Sequence, residues 1–267
     1  MNTRNERLIP RRQLLVRTGQ AALGVAVFGF AAACSNPDGG TPSASRSAAP
    51  QSSPPDATPD ATVSGDTAGP VASELRWSRV DLGFVAAYVL VRGREAAVVD
   101  TGVGGSADAI GAALDKAGPG WAGVRHVILT HKHGDHAGSI GDVLDNAPRA
   151  TGYAGADDLA DVSAPRRLRA LRDDDDVFGL RIIATPGHTR GHVAVYDGGT
   201  GVMVAGDALN NMDGLAGSNP QFTDDSTAAK DSVRKLALLR PDTILVGHGA
   251  PVEKDAAEML QRLAGSL

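Results

Sequence analysis

The 267-residue chain has a single cysteine, Cys34, so no disulfide can form within it. A metal site in the folded part would have to be built from imidazole and carboxylate ligands. Aromatic residues are scarce, at 4%, and no apolar run is long enough for a spanning helix. The longest uncharged stretch near the N-terminus is roughly 16 residues, short of the ~20 that a bilayer core demands. A basic excess is also missing. The net charge of -5 counts against nucleic acid as a partner. What remains, 42% hydrophobic and 21% charged residues, suffices for an ordinary globular core.

Residues 1–33 have the layout of an export signal. Arg11-Arg12 precede a weakly apolar stretch from Ala21 to Ala33, which ends Ala31-Ala32-Ala33 before Cys34. The arginine pair resembles a twin-arginine signal, and Ala-Ala-Ala-Cys resembles a bacterial lipobox, in which the cysteine is lipidated. Ala31 stands where leucine is commonest, and Pro10 precedes the arginines. Residues 34–73 are Ser, Pro, Ala, Asp, Gly and Thr with almost no large apolar side chain, the composition of a disordered linker. The expectation is a lipoprotein tethered to the extracytoplasmic face of a bacterial cell membrane.

Residues 74–267 form a catalytic-domain-sized unit. Apolar runs bounded by turn residues predict strands at Phe84–Val91, Ala96–Val99, Val124–Thr130, Leu180–Ala184, His192–Tyr196, Gly201–Ala205 and Thr243–Val246. Helical patterns fall at Ser106–Ala117, Ala137–Asp145, Ala156–Leu159, Pro165–Arg172, Ser226–Leu239 and Asp255–Leu263. Such alternation predicts an α/β domain with mixed sheets flanked by helices.

The unusual polar residues gather where predicted strands end. Asp100, His131, His188, Asp207 and His248 each follow such a strand closely. Loops leaving strand C-termini converge on active sites in layered α/β folds. The densest cluster is His131-Lys132-His133-Gly134-Asp135-His136, delivered by the apolar run from Val124 to Thr130. Imidazoles and carboxylates at this density suit zinc or another first-row divalent ion. Downstream come Thr185-Pro186-Gly187-His188-Thr189-Arg190-Gly191-His192, then Ala205-Gly206-Asp207, then Val246-Gly247-His248-Gly249.

In that order, H-x-H-x-D-H, G-H, G-D and G-H-G, these motifs resemble the metallo-β-lactamase-fold superfamily over nearly the whole domain. The resemblance implies a four-layer αββα sandwich with two metals at one edge. One metal would take His131, His133 and His188, and the other Asp135, His136 and His248, with Asp207 bridging both. His192 is read as structural or as a support behind the ligands. Asp100, in Asp100-Thr101-Gly102, resembles the family's D-T-G and would orient the metal loop.

The chemistry implied is metal-assisted hydrolysis by a hydroxide shared between two divalent ions, zinc first, with iron or manganese as alternatives. Asp135 or Asp207 would help move the proton, so both are candidate catalytic residues. A small-molecule ester, lactone or thioester leads among substrates. β-Lactam or amide hydrolysis, phosphodiesterase activity, mononuclear-iron persulfide dioxygenase chemistry and non-catalytic surface binding are the alternatives. Asp207 stands where dedicated two-zinc β-lactamases usually carry another residue. Only 19 residues follow His248, unlike glyoxalase-II-like thioesterases, and Asn210 occupies a position where acyl-homoserine lactonases often carry tyrosine. Phe84 and the Leu209–Asp224 loop with Phe222 are candidate groove-lining elements. Asp173–Asp176 is read as a solvated loop, and Arg166, Arg167, Arg169 and Arg172 as a surface helix.

Overall fold

The computed structural model describes residues 74–267; the signal, Cys34 and linker assignments lie outside the described residues. Six strands form the first sheet, in chain order from edge to edge: β1 (Arg76–Asp81), β2 (Ala86–Arg92), β3 (Glu95–Val99), β4 (Val124–Ile128), β5 (Thr151–Gly155) and β6 (Arg169–Leu171). The first three pair antiparallel and the rest parallel. Between β3 and β5 lie α1 (Ala107–Ala117), α2 (Gly120–Gly123), α3 (Gly134–Ala137) and α4 (Ile140–Asn146).

The second sheet contains β7 (Asp176–Val177), β8 (Leu180–Ala184), β9 (Val193–Asp197), β10 (Val202–Gly206) and, after an excursion, β13 (Thr243–Val246). Its spatial order is β13-β10-β9-β8-β7, with β10 and β13 parallel and the other pairs antiparallel. The excursion holds a two-stranded ribbon, β11 (Leu209–Asn210) and β12 (Ala216–Gly217), and then α5 (Ser226–Ala237). Helix α6 (Ala256–Gly265) follows β13.

Strand periodicity explains the layering. Side chains alternate across a strand, so Ala86, Tyr88 and Leu90 of β2 face the second sheet, where Ile182, Val195, Val204 and Leu245 meet them. Val89 and Val91 face the other way, onto Ile110 and Leu114 of α1, with Val143 and Leu144 of α4 in the same core. On the far side of the second sheet, Ile183, Met203 and Ile244 pack on Val233 and Leu236 of α5 and Leu260 of α6. Three apolar layers between four structural layers make the expected αββα sandwich. The Tyr88 hydroxyl donates to the Val246 carbonyl at 2.7 Å, tying the two sheets beside the site.

Two expected helices are absent, for local reasons. Residues 165–172 do not form a helix: Arg166 reaches back to the Leu144 carbonyl in the last turn of α4 and to the Ala147 and Pro148 carbonyls just beyond it. Arg169–Leu171 is then drawn into β6 against β5. At 156–159 there is a turn, with a short 3-10 helix displaced to Leu159–Asp161. The acidic run is a loop over Asp173–Asp175, while Asp176 opens β7, and each carboxylate is engaged. Asp173 takes Lys235 and the Ala184 N–H, Asp174 takes Arg181, and Asp175 and Asp176 accept from backbone N–H groups of Arg172 and Gly179.

Candidate metal centre

Each site residue is carried by the end of a strand. β3 delivers Asp100, β4 delivers the 131–136 loop, β8 delivers His188, β10 delivers Asp207 and β13 delivers His248. The ring nitrogens then converge. His133 Nδ1 lies 3.1 Å from His131 Nε2 and 2.9 Å from His188 Nε2. Three imidazoles this close, with nitrogens facing one another, cannot all be satisfied by shared protons; a central cation accounts for the geometry.

A second group lies alongside. His248 Nε2 is 3.4 Å from His136 Nε2 and 3.3 Å from Asp135 Oδ2. Asp207 stands between the groups: its Oδ2 is 3.5 Å from His188 Nε2 and 3.2 Å from His248 Nε2. The ligand atoms of His131, His133 and His188 fall within 4.8 Å of one another, as do those of Asp135, His136 and His248, and those of His131, His136 and Asp207. Asp207 Oδ1 is buried without a hydrogen-bond partner, a costly arrangement for a carboxylate unless a cation satisfies it. The His/Asp cluster therefore suits divalent metal ions.

Behind the facing nitrogens, the opposite ones are held. His136 Nδ1 meets Asp100 Oδ2 at 2.8 Å, and His248 Nδ1 donates to the Phe84 carbonyl at 2.7 Å. His188 Nδ1 contacts Ser218 Oγ at 2.9 Å, and His131 Nδ1 contacts Thr130 Oγ1 at 3.0 Å. Such partners fix ring tautomer and orientation. Asp100 has φ 63°, a strained value for a residue with a side chain. Its carboxylate accepts from the Thr130 N–H and hydroxyl as well as meeting His136, so the loop over-determines it.

His192 lies beside the site with both ring nitrogens engaged. Nδ1 contacts Thr185 Oγ1 at 2.7 Å, and Nε2 accepts from the Asp207 N–H at 3.0 Å. It belongs to none of the convergent groups. Sequence reasoning missed Asp158. This buried carboxylate accepts from Thr189 Oγ1 at 2.6 Å, the Gly191 N–H at 2.9 Å and the Lys132 N–H at 3.1 Å. It thus ties the 131–136 loop to the 188–192 loop. Nothing in Ala156-Asp157-Asp158-Leu159 distinguishes it from an exposed polar turn.

The electrostatics divide the cluster. Burial, reinforced by neighbouring His136, holds His131 well below the usual imidazole range. Burial likewise takes His188 to about 4 and His192 to about 3. Burial also works against a charged His136, but Asp100 and Asp207 outweigh it and raise its pKa well above normal. His248 is raised to about 10 by its hydrogen bonds with Asp135 and Asp207. Burial would raise Asp207, yet His136 and His248 hold it well below the carboxylate range. The carboxylates keep their charge, and positive charge is what they call for.

A cavity of about 500 Å³ opens over these groups, lined also by Phe84, Asn210, Met212, Asn219 and Phe222. The predicted Phe84 and 209–224 elements do border it.

Residues 80–248 match the model of the metallo-beta-lactamase superfamily. The chain belongs to that superfamily. Its similarity to the probable metallo-hydrolase YflN of Bacillus subtilis (strain 168) is 31% identity over 217 residues, covering 62% of this chain and 82% of that protein. It is 34% identical over 155 residues to a hydroxyacylglutathione hydrolase of Pseudomonas savastanoi pv. phaseolicola, covering 52% of this chain and 56% of that protein. A metallo-beta-lactamase family protein of Thermus thermophilus superposes with a TM-score of 0.58 at 25% identity, covering 72% of this chain and 78% of the other. A protein crystallised in a di-iron-bound form shares the fold, with TM-score 0.59 at 24% identity over 71% of this chain and all of that one. At the level of this superfamily, the expected class of metal-dependent hydrolase holds.

Proposed function

We propose that this member of the superfamily is a two-metal hydrolase, with zinc as its native pair, that cleaves an ester, lactone or thioester of a small molecule. The observation that carries the reading is Asp207, whose Oδ2 faces His188 of one group and His248 of the other while the buried Oδ1, which accepts no hydrogen bond, faces His136 Nε2 at 3.3 Å. A carboxylate so placed would be available to an ion in either group. Relatives named hydroxyacylglutathione hydrolase and atrochrysone carboxyl ACP thioesterase support acyl transfer to water from a thioester or a similar acyl compound.

His131, His133 and His188 would hold one ion, and Asp135, His136 and His248 the other. Bound there, the ions would supply Lewis acidity for a carbonyl and a water ionised near neutrality. The chain's own residues do the rest. Asp100 and Thr130 keep the His136 and His131 rings aimed inward. Asp135 borders the cavity, and its pKa is lowered chiefly by the hydrogen bond with His248. By that position, rather than by its metal-free pKa, Asp135 would be the group that carries a proton to a departing oxygen or sulfur.

The test is metal content and turnover measured together. About two zinc ions per chain, with hydrolysis of one class in a panel of lactones, esters, thioesters, β-lactams and phosphodiesters, is the expected result. His131→Ala and Asp207→Ala should lose metal and activity. One iron per chain with oxygen consumption would replace the reading.

The address carried by residues 1–34 belongs to the same proposal: export, lipidation of Cys34 and a tether of residues 35–73 would place the hydrolase outside the cytoplasm. Arg11-Arg12 and Ala31-Ala32-Ala33-Cys34 support it. The mass of the mature N-terminus, with a diacylglyceryl group on Cys34 or without one, decides the point.

A further inference from the structure

Among the described residues, four large hydrophobic side chains are strongly exposed, and three of them border the metal cavity. They are Phe84 at 65%, Met212 at 57% and Phe222 at 57%. Exposed apolar groups gathered at one place mark a binding surface rather than ordinary scatter. Phe84 is held in place there, its ring stacked on His248 with centroids 6.1 Å apart and planes 10° apart. No lysine or arginine lines the cavity. A substrate carboxylate or phosphate lying within this cavity would therefore find no lysine or arginine to pair with.

A second cavity of about 590 Å³ adjoins the first and shares Asn210, Met212 and Asn219 with it. Its floor is apolar, formed by Ala229 and Val233 of α5 and Leu263 of α6, and its one charged side chain is the exposed Lys230. Met212, strongly exposed, is the large apolar side chain common to both linings. The ribbon of β11 and β12 forms the wall, held closed where Asn210 Nδ2 donates to the Gly217 carbonyl at 2.6 Å.

We propose that the two cavities together bind one uncharged molecule whose apolar tail crosses Met212 from the metal groove and lies over Val233 and Leu263. On the hydrolase reading, on which this assignment rests, the tail is the acyl part of the substrate. Each methylene passing from water into such a lining contributes up to about 0.8 kcal/mol.

Two matched series test this with the metal-loaded protein. One is straight-chain thioesters of two to twelve carbons, with and without a terminal carboxylate. The other is N-methylalkanamides of the same acyl lengths, far more resistant to hydrolysis than thioesters, whose binding is followed by calorimetry. For the thioesters, kcat/KM should rise about two- to fourfold per added methylene up to a limiting length, and a terminal carboxylate should cost at least tenfold in the short members, whose ends stay in the metal cavity. Amide affinity should rise in parallel. Met212→Asp, at an exposed position, should flatten both series, and Leu263→Trp should cut off the longest members.

A flat thioester profile, or a preference for the carboxylate tail, overturns the inference and leaves the hydrolase standing. An amide affinity that climbs with length, and that Met212→Asp flattens, upholds the tail site even where neither the thioesters nor the ester and lactone panel is turned over; the hydrolase reading alone then fails. Flat amide binding without turnover defeats both.

Discussion

The backbone N–H of Asp207 donates to His192 Nε2 at 3.0 Å, and this one bond explains why the second histidine of Gly187-His188-Thr189-Arg190-Gly191-His192 is not free to be a ligand. The imidazole is spent on orienting the chain that carries the shared carboxylate. His192→Phe preserves the ring volume but leaves a buried N–H without an acceptor, at a cost of about 1–3 kcal/mol. The expected outcome is a lowered denaturation midpoint and weaker metal retention. His192→Gln, whose side-chain oxygen can accept, should recover part of both. A His192→Phe protein as stable as the parent, with its full metal content, would show that the bond is idle.

Asp158 supports a different pair of loops. Asp158→Ala strips acceptors from two backbone N–H groups and one hydroxyl in a buried setting, a loss of at least about 3 kcal/mol if each costs near 1. Close packing sharpens the effect, because a side chain at Gly191 would collide with Asp158 itself. Metal affinity at the group of His131, His133 and His188 should fall about ten- to a hundredfold, the usual scale for loss of a supporting residue. The group with His248 should change less. Competitive titration with a chromogenic chelator resolves the two classes; an equal loss at both, or none at either, refutes the assignment.

The contrast between these two residues shows what a sequence can disclose. His131 to His136, His188, Asp207 and His248 are legible because polar residues stand abruptly at the ends of apolar strands, framed by glycines. Asp158 carries no such mark. Its importance comes from what folds over it, and Thr189 and Lys132 are distant in the chain. The same limit applies to elements. β1 and β5 escape pattern reading because Arg76–Asp81 is a half-exposed edge and Thr151–Gly155 has two glycines, a threonine and an alanine around its one large side chain, Tyr153. Residues 165–172 favour helix by local preference, yet the carbonyls at and just beyond the end of α4 and the edge of β5 claim them. Tertiary partners override propensity there.

Gly247 is a second feature that spacing alone cannot explain. A Cβ at this position would collide with Asp207 Oδ1 and the His136 ring. Its nearest obstacles are the metal-site groups themselves. Gly247→Ala should therefore fold, with secondary structure intact by circular dichroism, while binding at most one divalent ion and losing nearly all turnover. A variant that keeps two ions would mean the centre has slack that the close approach does not suggest.

The protonation of His248 yields a prediction with a sign that reverses on metal loading. In the metal-free fold its pKa is raised to about 10, from 6.5, by Asp135 and Asp207. A raised pKa means that the folded state binds the proton more tightly than the unfolded chain does. The resulting stability is fully present below about pH 6.5 and is lost as pH climbs through about 10. Metal coordination needs the neutral ring, so an ion must displace that proton, and apparent metal affinity should rise over the same interval. Thermal midpoints of the metal-free protein should fall between pH 6.5 and 10, while calorimetry in buffers of differing ionisation enthalpy shows proton release on metal binding at pH 7. His248→Gln should remove this part of both effects. A metal-free midpoint that stays level across that window would mean His248 does not hold its proton against Asp135 and Asp207.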